Sequence, residues 1–151
     1  MYRAAKMVVD ASVAAKWHLI DEEGAPEALA LLSRFSTGDV ELFAPGQIRS
    51  EVASALSVAT LGRQPRVDPE TARLAVETFL AFGLSIVDDD QLILEALPLV
   101  GQHSIAFYDA LYLALAQRLA IPLVTADRKL FARCSHLPEV LWIADHSRHD
   151  A

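Results

Sequence analysis

Short apolar runs alternate along the chain with longer segments in which apolar positions recur every three or four residues. The short runs predict buried strands, and the longer segments predict amphipathic helices. The predicted strands cover residues 7–9, 41–44, 84–87, 123–125 and 140–143. The predicted helices cover residues 13–17, 22–35, 47–61, 69–81, 88–99, 106–119 and 127–132, and Ser12 stands in the N-cap position of the first helix.

Strands that alternate with helices predict an α/β protein with a parallel sheet of about five strands, covered on both faces in three layers, α/β/α. No repeat, low-complexity stretch or linker divides the sequence, so we expect residues 1–151 to form a single domain. We expect residues 1–6 to be a disordered or non-native start, with Met7 as a candidate true start, and residues 144–151 to be a tail. Ligands of such sheets collect at the carboxyl ends of the strands.

Composition narrows the class of protein. The chain has 151 residues, and its hydrophobic share of 53% is too high for a disordered chain. It has neither the run of roughly 18 apolar residues that a membrane span needs nor the apolar core of a signal peptide, which predicts a cytoplasmic location without membrane contact. The single cysteine, Cys134, rules out an internal disulfide.

The net charge of −7 argues against a broad electrostatic grip on nucleic acid. It does not exclude a nucleic-acid substrate, because divalent cations held by carboxylates would neutralise part of this charge.

Four acidic residues stand at informative positions. Asp10 and Asp127 lie at or just past the ends of predicted strands, whereas Glu51 and Asp109 lie on predicted helices. We expect both helix acids to point toward the interior, where an unpaired charge is costly, because residues three and four apart share a helix face. Those apolar neighbours are Tyr112, Leu113 and Ala116 for Asp109, and Ile48, Ala55 and Val58 for Glu51.

Each helix acid alone also has an ordinary structural explanation, as a residue at the edge of an apolar stripe that meets an arginine. Arg49 or Arg63 could partner Glu51, whereas no basic residue lies one turn from Asp109. Because four suitably placed basic residues are lacking, we expect one or two cations, Mg²⁺ or Mn²⁺, which prefer carboxylate oxygen. Such a cluster suits phosphodiester hydrolysis, in which positioning and charge compensation dominate.

Other polar residues are interpreted as structural. The run Asp88–Asp90 opens a helix, which the helix dipole favours. Three histidines lack the Cys partners and the spacing of zinc ligands and are expected on the polar surface: His103, His146 and His149. Four basic residues near the acids could meet RNA phosphate but are interpreted as solvated surface charges: Lys16, Arg49, Arg128 and Lys129.

Four segments together resemble a known family. Residues 9–17, 51–56, 107–116 and 123–130 are similar, in order, to the acidic motifs of PIN-domain proteins, particularly the VapC-type toxins of bacterial toxin–antitoxin pairs. The third and fourth segments are the specific ones, and the four together span nearly the whole chain. The sequence departs from many relatives at Ala106, where a Ser or Thr is common, and Ser104 is a candidate cap for that helix instead.

The resemblance implies a PIN-like fold and a Mg²⁺- or Mn²⁺-dependent endoribonuclease. It also implies a homodimer, inhibited by a small VapB-like antitoxin whose C-terminal segment occupies the active site. Carried over by motif, the metal-binding and catalytic acids are Asp10, Glu51, Asp109 and Asp127, of which Asp10 and Asp109 contribute most directly and Asp127 is the most peripheral. Ser12 and Thr125 are candidate supporting residues; an N-cap and a plain strand residue are their alternative roles.

Two other functions compete with the nuclease. A catalytically inactive module would keep the acids for antitoxin or RNA binding, and retention of all four acids argues against it. A phosphoacceptor domain of response-regulator type needs adjacent acids after the first strand, but Ala11 follows Asp10 here.

Overall fold

A five-stranded, fully parallel sheet forms the centre of the computed structural model, which describes residues 3–148. The strands are β1 Ala5–Val9, β2 Val40–Pro45, β3 Ser85–Val87, β4 Leu123–Thr125 and β5 Val140–Trp142. They lie in the order β3-β2-β1-β4-β5. The chain therefore adds β2 and β3 on one side of β1 and then adds β4 and β5 on the other side, so the strand order reverses between β1 and β4.

Helices flank the sheet in the three-layer α/β/α arrangement that the sequence predicts. They are α1 Ala11–Ala15, α2 Ala25–Ser36, α3 Ile48–Ala59, α4 Pro69–Leu80, α5 Asp90–His103, α6 Phe107–Leu119 and α7 Arg128–Cys134, and a 3₁₀ turn follows β5 at Ile143–Asp145. Helix α6 packs on β1, β2 and β4 and against α5. Residues 110–116 of α6 are all buried, as expected for a helix that is apolar around its whole circumference.

Both ends of the described chain are more structured than the sequence suggests. Strand β1 takes in Ala5 and Lys6, from the segment expected to be a disordered start, because the Ala5 amide donates to Asp39 O at 3.1 Å and Lys6 pairs with Glu41 at 3.6 Å. At the other end, His146 is buried and Arg34 donates to its carbonyl oxygen at 3.1 Å. The expected polar-surface position of His146 is therefore wrong, and His149 lies outside the described residues.

The start of α2, the end of α5 and the cap of α6 differ from the predicted ones for local reasons. Helix α2 begins at Ala25 rather than residue 22, because Gly24 takes a left-handed conformation with φ of 84° just before it. Helix α5 continues past residue 99 to His103 and tolerates Pro98 inside it. Ser104 ends that helix with φ of 53° and does not cap α6, whose N-cap is Ala106. Within residues 3–148, no helix has both the length and the apolar character that a membrane crossing requires.

Candidate active site

The reversal of strand order brings two of the predicted acids together. Asp10 follows β1 directly, and Asp127 follows β4 by two residues, on the adjacent strand. The Asp10 amide donates to Val124 O at 3.1 Å, which ties the end of β1 to β4. In open parallel sheets, the point where strand order reverses opens a crevice at the carboxyl edge. Both aspartates lie at that crevice.

Two helices bring the remaining acids to the same place. Glu51 lies in the first turn of α3 and Asp109 in the first turn of α6. With Asp10 and Asp127 they line one open cavity of about 330 Å³, which we call the acidic cavity. Its other lining residues are Ala11, Ser12, Ala15, Lys16, Glu22 and Ala55. The four candidate acids, separated by up to 117 positions in sequence (127 minus 10), thus share one cavity.

Asp10 is the most enclosed of the four acids, with 3% of its surface exposed. Its Oδ2 accepts hydrogen bonds from Thr125 Oγ1 at 2.7 Å and from Ser12 Oγ at 2.9 Å. Burial raises the pKa of Asp10. The hydrogen bonds from the two hydroxyls lower this pKa, and the nearby charge of Asp127 raises it further. The carboxylate is therefore held by neutral donors and not by a basic side chain.

Ser12 and Thr125 also hold the segment that carries Asp127. The amide of Ala126 donates to Ser12 Oγ at 3.0 Å, and the amide of Asp127 donates to Thr125 Oγ1 at 3.0 Å. The prediction of Ser12 as an N-cap is wrong, because Asp10 occupies the N-cap of α1 and Ser12 lies inside the helix. Its hydroxyl instead links the turn after β1 to the turn after β4.

Glu51 lies at the edge of the buried face of α3 rather than within it. That face consists of Ile48, Val52, Leu56 and Ala59, and the expected neighbour Val58 is 63% exposed. Tyr112 Oη donates to Glu51 Oε1 at 3.2 Å. Burial, and then the charge of Asp10, nevertheless raise the pKa of Glu51 to about 7. Neither arginine that the sequence offered as a partner relieves this carboxylate: Arg49 lies 4.0 Å from Asp88, and Arg63 is exposed.

Asp109 and Asp127 differ in how they are held. Burial, and then the charges of Asp10 and Asp127, raise the pKa of Asp109 to about 6, while Lys129 acts in the opposite direction. Asp127 caps α7, because its Oδ1 accepts from the amides of Lys129 at 2.8 Å and Leu130 at 3.0 Å. The charge of Asp109 is thus offset only in part, by Lys129, whereas the Asp127 carboxylate accepts two backbone hydrogen bonds.

Sequence reasoning missed three residues of this site. The sequence pattern indicates Tyr112 only as an apolar neighbour of Asp109, but its hydroxyl donates to Glu51. Glu22 lines the acidic cavity from the loop before α2, where no pattern marked it. Lys16 is not a solvated surface charge, because only 13% of its side chain is exposed and its Nζ lies 3.0 Å from Glu22 Oε2. Among residues 3–148, Lys16 is the one basic side chain that lines this cavity.

The donor chemistry of the cavity fits a hard divalent cation. Its candidate ligands are carboxylate oxygens, and burial with mutual repulsion raises the pKa of three of the acids, which a bound positive charge would relieve. In the part of the chain that the structure describes, however, no group of three or more His, Cys, Asp or Glu side chains is arranged to hold a metal ion. Carboxylates without a cation repel one another, and those of Asp10, Glu51 and Asp127 are bound to protein donors.

The acids at the next strand end behave as the sequence indicates. Asp89 caps α5 by accepting from the Leu92 amide at 2.8 Å, and it pairs with Arg118 at 2.8 Å. The Arg118 guanidinium, together with this amide, lowers the pKa of Asp89 to about 2. Asp88 is exposed and does not line the acidic cavity.

Comparison with known proteins identifies related folds. The sequence profile of the PIN domain family matches residues 7–137. Among solved structures, the chain is similar to PAE2754 from Pyrobaculum aerophilum, with 24% identity, a TM-score of 0.67, and coverage of 92% of this chain and 84% of that one. It is also similar to a toxin–antitoxin complex from Klebsiella pneumoniae, with 20% identity, a TM-score of 0.59, and coverage of 89% and 95%.

A third similar structure is VapC20 from Mycobacterium tuberculosis, described as a sarcin–ricin loop cleaving toxin. It shares 16% identity at a TM-score of 0.62, with coverage of 83% of this chain and 93% of that one. No curated protein sequence matches the chain. At these identities, the similar structures bear on the fold, and the residues of the acidic cavity must carry any argument about chemistry.

Proposed function

This chain belongs to the PIN domain family, and we propose that it is a divalent-metal-dependent endoribonuclease, the toxin of a toxin–antitoxin pair. One observation carries the proposal: four carboxylates from four separate elements line one cavity at the carboxyl edge of the sheet. Burial and mutual repulsion disfavour the ionised forms of Asp10, Glu51 and Asp109, so the cavity favours a positively charged occupant. Similar folds in a toxin–antitoxin complex and in a toxin described as cleaving the sarcin–ricin loop support this choice.

In this proposal Asp10 and Asp109 are the main ligands of Mg²⁺ or Mn²⁺, Glu51 is a further ligand, and Asp127 acts from the periphery. A divalent cation held there would polarise the scissile phosphate and make a water more acidic. The hydroxyls of Ser12 and Thr125 both bind Oδ2 of Asp10, so Oδ1 remains available as a ligand. Tyr112 fixes Glu51 through its Oε1.

The proposed partners follow from the same family. We propose a small VapB-like antitoxin as inhibitor, RNA as substrate, a homodimer as the working state and the cytoplasm as the location. Co-expression with the protein encoded by the neighbouring reading frame should yield a complex that suppresses RNA cleavage. Size-exclusion chromatography with light scattering measures the stoichiometry of the free and the inhibited protein.

RNA cleavage by the purified protein tests the activity. We expect cleavage with Mg²⁺ or Mn²⁺ and none with EDTA. Asp10→Asn and Asp109→Asn should each abolish cleavage and growth arrest while leaving a folded protein. Asp88→Asn is the matched control, because Asp88 lies at the same sheet edge with 71% of its side chain exposed and outside the acidic cavity. Retained cleavage by both cavity variants would contradict the proposal. Metal binding without cleavage of any RNA would instead favour an inactive binding module.

A further inference from the structure

A second cavity adjoins the acidic cavity and has a different chemical character. It encloses about 170 Å³, and Lys16 lines both cavities. Ala126 lines the second cavity and the next residue, Asp127, lines the acidic one. A strand of substrate whose phosphate lies among the four acids can therefore continue past Lys16 into this second space. We call it the side cavity.

The wall of the side cavity holds a fixed aromatic ring under a movable cation. Trp142 lies at the end of β5, and Phe131 packs against its indole with ring centroids 5.5 Å apart. The guanidinium carbon of Arg128 lies 6.0 Å from the indole centroid. Arg128 also pairs with Glu23 at 2.7 Å, but these side chains are 74% and 84% exposed, so the pair can open at small cost. An indole and a guanidinium are the groups on which proteins stack single-stranded bases.

Lys16 is placed to meet the phosphate between the two cavities. Its Nζ donates to Glu22 Oε2 at 3.0 Å, which uses one of its three donors. Glu22 also pairs with Arg66, whose Nη2 lies 3.3 Å from Glu22 Oε1. The negative charge of Glu22 is therefore shared between two cations and neutralises Lys16 only in part.

We propose that the side cavity binds the base next to the scissile phosphate, and that it prefers guanine. Trp142 is the stacking surface, Arg128 covers the base, Lys16 binds its phosphate, and Glu27, which lines the cavity, accepts hydrogen bonds from its edge. A carboxylate has acceptors only, and guanine offers it two adjacent donors, N1–H and the N2 amino group. Uracil offers one ring N–H, and cytosine and adenine offer an amino group alone. This assignment of specificity rests on the proposed nuclease function.

Nucleotide binding tests the side cavity without requiring cleavage. The chain has two tryptophans, and Trp17 is 5% exposed and packs against Phe79 and Phe82, so quenching by a nucleotide reports on Trp142. Titration with 5′-GMP should quench the fluorescence at concentrations about tenfold below those that 5′-UMP needs. Glu27→Gln should remove this difference, since an amide presents one acceptor and a donor. Equal quenching by the two nucleotides, or a difference that survives Glu27→Gln, would overturn the proposal.

Cleavage of a randomised RNA pool tests the role in specificity. Sequenced products of the wild type should show guanine enriched beside the cut. Trp142→Leu should reduce that enrichment about tenfold and act through KM more than kcat, because stacking on an aromatic ring contributes to binding. Trp142→Phe should restore part of it. Phe43→Leu is the matched control, since Phe43 is another half-buried strand aromatic beneath a cation, Lys6 Nζ at 5.6 Å, outside both cavities.

The outcomes separate this inference from the function on which it rests. Cleavage without base preference, or with a preference that Trp142→Leu leaves intact, overturns the side cavity's role while the nuclease stands. Guanine-selective quenching without cleavage of any RNA supports the side cavity as a base site while the nuclease fails. Variants that lose only antitoxin affinity, with base preference unchanged, would assign the side cavity to a protein partner and overturn the proposal.

Discussion

Glu51→Gln should stabilise the metal-free protein at alkaline pH, although Glu51 is a proposed metal ligand. In the folded protein the pKa of Glu51 is raised from 4.5 to about 7, first by burial and then by Asp10. The folded state thus binds this proton more tightly than the unfolded state, so the contribution to stability is full below pH 4.5 and is lost as the pH rises through 7. Glutamine has nearly the same shape, cannot ionise, and can still accept the hydrogen bond from Tyr112.

The size of the effect follows from that pKa difference. A rise in the pKa of Glu51 from 4.5 to about 7 corresponds to a cost of ionisation in the folded protein of at most about 3 kcal/mol. Because the side chain is partly exposed, solvent screening reduces this cost to about 1–2 kcal/mol. For a chain of this length, that corresponds to a rise in Tm of roughly 3–6 °C at pH 8. At pH 5 the folded wild type carries the proton, so the difference between the variant and the wild type should nearly vanish.

Thermal unfolding in EDTA at pH 5 and pH 8 measures this prediction. Glu27→Gln is the control, because Glu27 is an exposed glutamate outside the acidic cavity, and its unfolding free energy should change by less than about 0.5 kcal/mol. Added Mg²⁺ should then stabilise the wild type more than Glu51→Gln, reversing the order seen in EDTA. A variant that is no more stable than the wild type at pH 8 without metal would refute the electrostatic reasoning about this cavity.

Three further substitutions probe the supports of the site. Thr125→Val keeps the shape but removes a donor from buried Asp10, and should lower the unfolding free energy in urea by about 1–3 kcal/mol; no loss would mean that the bond does not support the carboxylate. Tyr112→Phe should cost about 1 kcal/mol and shift the acid limb of the activity profile to higher pH, because the donor to Glu51 that lowers its pKa is gone; an unmoved limb would count against this. Leu113 is fully buried in α6, and Leu113→Ala should lower the unfolding free energy by about 2–5 kcal/mol without changing the stabilisation by Mg²⁺. A change in that stabilisation would show that the packing of α6 controls the site.

The parts of the site that local sequence determines could be predicted, and those that depend on tertiary packing could not. Asp10 and Asp127 follow apolar runs, so their place at strand ends is a local feature. Asp109 lies in the first turn of a helix that is apolar around its circumference, so it has apolar neighbours whichever way the helix is rotated. Helix α3 is only half buried, and apolar residues lie on both its buried side (Ile48) and its exposed side (Val58), so their spacing could not place Glu51 at the edge of the buried face.

Long-range pairs were beyond prediction for a different reason. The hydroxyl of Ser12 fits an N-cap and a cross-strand link equally well in sequence, and only the approach of β4 to β1 decides between them. The pairing of Lys16 with Glu22 likewise depends on how the loop before α2 folds back over α1. Periodicity gives no information about such loops, so the basic side of the site becomes visible only in three dimensions.

The donors around Asp10 explain how a destabilising site persists in a packed core. A lysine or arginine beside Asp10 would compensate its charge permanently, and the cavity would then lose its preference for a cation. The hydroxyls of Ser12 and Thr125 instead satisfy Oδ2 and leave the net negative charge in place. The same two hydroxyls bind the amides of Ala126 and Asp127, so the turn that carries the fourth acid is held by the groups that hold the first. Position and charge are thereby set by different atoms: backbone and hydroxyls fix where the carboxylates lie, and their charge remains to be balanced from outside the chain.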